Sequence, residues 1–167
     1  METSNLKDFV KNMALLWREH KKREKLYIKV MSKDNLGNLR KLCNQGHISA
    51  LLFQKEIQWI YDYFKCTLND CDLNDYITLD NRSESTLDQV EDVGVLIRVL
   101  KETEWSTIRL YQTALNKVDG DSEVFTILRD HMDRMSEFCD KFSTEIMYMS
   151  RRHNQRFGQG EMMSYSV

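Results

Sequence analysis

An all-α fold of four long helices packed as a bundle is what this sequence predicts. Three observations carry that expectation. No proline occurs in 167 residues and the six glycines are sparse, so helices can run long almost everywhere. Apolar residues recur at steps of three and four in four separate stretches. Two of the three connections between those stretches are short and polar, and one is long.

The first helix is expected from Ser4 to Met31, with Thr3 or Ser4 as its cap and Asp8 suited to its positive end. Its stripe runs through Leu6, Val10, Met13, Trp17, Tyr27 and Met31. Residues 32–35 form a short break, with Asp34 or Asn35 capping the second helix, from Leu36 to Cys66. That helix carries Leu39, Leu42, Ser49, Leu52, Phe53, Ile60, Tyr63 and Phe64, and Gly46 on the same stripe permits a close helix contact. Residues 67–86, TLNDCDLNDYITLDNRSEST, lose the helical period.

Ser85 or Thr86 is the expected cap of the third helix, from Leu87 to Val118, with Val93, Ile97, Leu100, Ile108, Tyr111, Leu115 and Val118 inward. A tight turn follows, with Gly120 as the terminating glycine and Asp121 or Ser122 as the next cap. The fourth helix runs from Glu123 to Arg151, and the polar tail 152–167 is expected to fray. One domain, residues 1–151, accounts for the rest. Trp17, Trp59, Trp105 and the methionines of the fourth helix read as core.

The long connection bears on topology. A helix of about 30 residues is about 45 Å long, and twenty extended residues reach about 65 Å. The connection can therefore cross the whole bundle, giving two antiparallel hairpins joined by one crossover.

Composition narrows the function. Net charge is −2, which argues against nucleic acid and an anionic membrane. Residues 1–33 hold nine basic against four acidic side chains, a net of +5, and residues 68–92 hold eight acids against Arg82, a net of −7. The two regions can attract one another. Cys43, Cys66, Cys71 and Cys139 form no C-x-x-C pair, no apolar run spans a bilayer, and no export signal is read, so a soluble cytoplasmic protein is expected. Nucleophile elbows and phosphate loops are absent from the sequence.

Ionisable residues interrupt the apolar stripes: His20 and Glu24 on the first helix, Glu56 on the second, Glu104 on the third and His131 on the fourth. A full-length crossover brings Glu56, Glu104 and His131 towards one level, with Lys11 facing them. Two carboxylates and one histidine suit iron, manganese or zinc. The preferred reading is instead a satisfied polar layer of Glu56 with Lys11, Glu104 with His131 or Ser136, and His20 with Glu24, and a third is that these residues simply lie at an exposed edge. His20 and Glu24 are expected level with His47 and Cys43, as a separate layer.

The segment KETEWSTIRLYQTALNKVDGDSEVFTILRDHMDRMSEFCDKF resembles the second hairpin of a ferritin-like bundle. It has a Glu then a Tyr on one long helix, a short Asp/Gly turn and a His on the next. The resemblance implies a crossover bundle with a carboxylate–histidine metal centre. The Glu-x-x-His motif of that centre is incomplete, because Leu128 stands three residues before His131 and Trp59 three after Glu56.

The resulting expectation is a non-catalytic ferritin-like bundle, an interaction or stress-associated structural protein with a protein partner or a second copy of itself. The alternative is a metal-storage protein or oxidoreductase using Glu56, Glu104 and His131. A third reading places an acidic partner on Arg18, Lys21, Lys22, Lys25 and Lys29.

Overall fold

The computed structural model describes the backbone of residues 3–69 and 92–160, and the side chains of these except residues 3, 149 and 152–160. Four helices are present among them: α1 (Thr3–Met31), α2 (Asn38–Lys65), α3 (Val93–Leu115) and α4 (Glu123–Gly160). They pack as a bundle. α1 lies against α2 and α3, and α4 lies against α3 and α2.

Paired side chains give the directions. Phe9 meets Phe64 and Arg23 meets Ser49, so α1 and α2 are antiparallel. His20 meets Tyr111 and Tyr27 meets Glu104, so α1 and α3 are antiparallel too. α2 and α3 therefore run the same way. The end of α2 and the start of α3 lie at opposite ends of the bundle, in two separate apolar clusters. The long connection between them falls mostly outside the described residues, as do the Ser85 and Thr86 caps and Cys71.

Those clusters are the core. One gathers Phe9, Met13, Ile57, Tyr111 and Leu128 near the start of α1, and the other gathers Leu26, Leu39, Leu100 and Phe142 near its end. Each forms because an apolar stripe at helical spacing must be buried against its neighbours.

Several boundaries differ from the sequence reading. The α1–α2 turn passes through Asn35 and Gly37, both at positive φ, and α2 starts only at Asn38 with no side-chain cap. Arg40 closes this turn by donating to the carbonyls of Met31, the last residue of α1, and Lys33 just beyond it. Asp92 caps α3 through the backbone N–H of Val95. Ser122 caps α4 as expected, by accepting from Phe125 N–H, whereas Gly120 is not at positive φ. α4 continues past Arg151 to Gly160.

The faces differ as well. Leu52, Tyr63, Trp59 and Trp105, all read as core, are exposed, while Cys43, Ala50, Ile57 and Tyr61 are buried. α2 carries apolar residues nearly all the way round, so periodicity alone does not select its inward face. Gly46 is inward as expected: a Cβ there would stand 2.2 Å from the ring of Tyr27. Its bare backbone is what lets that ring lie between α1 and α2.

Candidate functional site

Between the two apolar clusters runs a chain of polar side chains, buried on α1, α3 and α4 and ending on α2 at the part-buried Ser49 and the exposed Glu56. Arg23 is its centre, fully buried on α1. Its spacing explains the placement: Leu16, His20, Arg23, Tyr27 and Val30 follow one another at steps of four and three, and all are buried. The guanidinium donates through Nε to Glu104 Oε1 at 2.7 Å, through Nη1 to His20 Nδ1 at 2.8 Å and through Nη2 to Ser49 Oγ at 3.3 Å. Tyr27 also donates to Glu104 Oε1, at 2.5 Å, while Glu104 Oε2 has no hydrogen-bond partner among the described residues.

A guanidinium only donates, and that fixes every proton further along. His20 must accept at Nδ1, so it is neutral and carries its proton on Nε2. Nε2 donates to the Tyr111 hydroxyl oxygen at 2.7 Å. Tyr111 then donates to His131 Nδ1 at 2.9 Å. His131 in turn carries its proton on Nε2 and donates it to Glu56 Oε2. The bonds point one way, from Arg23 to Glu56. Because the first donor does not give up its proton, the chain orients its members and does not carry a proton outwards.

Electrostatics agree with that assignment. Burial, then the neighbouring Arg23 charge and His131, hold His20 well below the usual histidine range. Burial also lowers His131, against the opposing pull of Glu56. Burial disfavours the Arg23 charge, but Glu104 foremost outweighs it and keeps the guanidinium ionised. Burial raises the hydroxyls of Tyr27 and Tyr111, so both stay protonated. Phe53 closes the chain against solvent, stacked on His131 at 3.9 Å between ring centroids and edge-on to His20 at 5.8 Å. Burial pushes the thiols of Cys43 and Cys139 up to about 12, so neither is a nucleophile near neutral pH.

Of the three residues read as metal ligands, Glu56 and His131 are brought together and Glu104 is not joined to either. It stands in the other arm, with Arg23 and Tyr27. Glu56 pairs with His131 and not Lys11, and Glu104 pairs with neither His131 nor Ser136. His20 belongs to this same chain, not to a separate layer with His47 and Cys43, and Glu24 turns to Lys21 at 3.9 Å. Sequence reasoning missed Arg23, which it only counted among the nine basic residues of 1–33, and it missed the Tyr111 hydroxyl by counting the ring as core.

No family model, no curated protein and no solved structure matches the chain. The ferritin-like resemblance implies a carboxylate–histidine metal centre, and the residues present do not assemble one among those described. A fixed cation, Arg23, already neutralises Glu104 in mid-bundle, and no three His, Cys, Asp or Glu side chains gather around a common point. Among the described residues, no helix is long and apolar enough to cross a membrane.

Proposed function

We propose that this is a non-catalytic helical-bundle protein, ferritin-like in the order and direction of its helices, that serves as a structural or interaction scaffold. One observation carries the reading: the buried guanidinium of Arg23, bonded to Glu104 at 2.7 Å, supplies the positive charge that mid-bundle carboxylates require. The hydrogen-bond directions support it, since a chain that starts on a guanidinium aligns four helices and moves no proton. Buried polar sets of this kind hold helices in one register.

The test is elemental analysis of the full chain purified without chelator, followed by titration with iron, manganese and zinc. The expected result is no stoichiometric metal. Stoichiometric retention that disappears in Glu56→Gln or Glu104→Gln would replace the scaffold reading with a metal-storage protein or oxidoreductase.

A further inference from the structure

One face of α2 is largely exposed, touching another helix through the bond of Glu56 to His131 and along the edge near Met135 and Phe138. Ile48, Leu52, Lys55, Glu56, Trp59 and Tyr63 fall within about 100° of one another on a helix of 3.6 residues per turn. All six are exposed, and the four apolar ones are 48%, 56%, 54% and 59% accessible for Ile48, Leu52, Trp59 and Tyr63. Large apolar groups exposed singly need no explanation, but a contiguous stripe marks a contact surface. Trp59 and Tyr63 stack on each other at 6.1 Å, forming a shelf at one end. At the other end, Ile48 and Leu52 border a groove of about 290 Å³ floored by Phe53, Met135 and Phe138.

The order of residues along this stripe is symmetric. Read in either direction, the spacings are four, three, one, three and four, with two aliphatics on one side, two aromatics on the other and a Lys–Glu pair in the middle. We propose that the stripe is the interface with a second copy of this chain, the two α2 helices lying antiparallel about a two-fold axis between Lys55 and Glu56. In that register Lys55 faces Glu56 of the partner subunit, Leu52 faces Trp59 of the partner subunit, and Ile48 faces Tyr63 of the partner subunit. Each contact occurs twice, as an isologous interface requires. The aromatic shelf of each copy meets the groove of the other. The two central ion pairs set the register, which is what charges at an interface do best. The stripe from Ile48 to Tyr63 runs about 22 Å along the helix, all of it inside the overlap that this register allows.

The inference rests on the scaffold reading by naming its partner, yet the two fail separately. A monomer would sink the dimer and leave the metal assay unchanged, while a bound metal would sink the scaffold and leave the oligomeric state unchanged.

Sedimentation equilibrium of the full chain is the measurement, with circular dichroism to verify that each variant keeps its helices. The expected species is a dimer of the 19.9 kDa chain. A monomer throughout the micromolar range overturns the proposal. Trp59→Glu should weaken dimerisation by about 30-fold or more, the size of a hot-spot residue; an unchanged dimer places the contact elsewhere and overturns it. Lys55→Glu and Glu56→Lys should each weaken self-association about tenfold or more, because like charges then face each other. Mixed together, the two variants should recover wild-type affinity as a heterodimer, since both ion pairs are restored. No preference for the mixed dimer overturns the register. Glu56 also holds His131, so if Glu56→Lys loses its helices, Lys55→Glu decides alone: an undiminished dimer overturns the proposal.

Discussion

Arg23–Glu104 and His131–Glu56 terminate one hydrogen-bonded chain, and both are acid–base pairs, yet they stand in different media. The first has both side chains fully buried, whereas in the second Glu56 is 56% exposed. A buried charge without its counter-charge is costly, while an exposed one is quickly rehydrated. The same kind of contact is therefore indispensable at one end of the chain and nearly dispensable at the other. What the pair at the centre contributes is alignment of α1 with α3. What the pair at the lip contributes is the direction of a proton on His131.

Removing Glu104 should have the largest effect. Glu104→Leu leaves the Arg23 cation buried without its counter-ion, and a loss of about 3–5 kcal/mol is expected in urea unfolding. The double variant Arg23→Met, Glu104→Leu should recover only part of that loss, because it removes the unpaired charge but leaves the Tyr27 hydroxyl and His20 Nδ1 buried without their partners. The comparison breaks if the single and double variants unfold alike.

Much of this was legible in the sequence, and the remainder failed for identifiable reasons. The helix starts of α1 and α4, the Ser122 cap, the Gly46 contact and the parallel course of α2 and α3 follow from period, caps and connection length. The third and fourth helices meet with His131 bonded to Tyr111. The first hairpin slipped. Its turn runs through Asn35 and Gly37 before α2 begins, so His20, not Lys11, arrives beside Phe53 and the chain of polar groups. Glu104 is joined to Arg23 and Tyr27 of α1 instead, and Glu56 to His131. Arg23 itself sits in KKREK, where residue type suggests a solvated face, and only its spacing from His20 and Tyr27 reveals it as inward.

The two histidines should give the next largest effect, read as pH dependence. Folding lowers the pKa of both. Below about pH 6.5 the unfolded chain therefore binds protons that the folded chain refuses, so stability is full above that value and falls as pH drops through it. The slope is about 1.4 kcal/mol per pH unit for each histidine until its folded value is reached. Urea midpoints between pH 7.5 and 5.5 should show the decline, and His20→Gln should flatten it more than His131→Gln. The fully buried His20 has no carboxylate beside it, and His131 has Glu56. Equal slopes in wild type and both variants would remove the histidines from the account.

Glu56→Gln should have the smallest effect on stability, within about 1 kcal/mol, because the lost charge is largely solvated. The amide oxygen of the new side chain still accepts from His131 Nε2, so the proton order from Arg23 outward persists. Its signature is electrostatic. Glu56 is what raises the pKa of His131 against burial, so its neutralisation should push that histidine lower still, measurable by NMR titration of the ring. His20, shielded behind Tyr111 and Phe53, should titrate as before. If His131 rises on losing Glu56, the carboxylate is not what holds its pKa up, and the Nε2–Glu56 hydrogen bond drops out of the account.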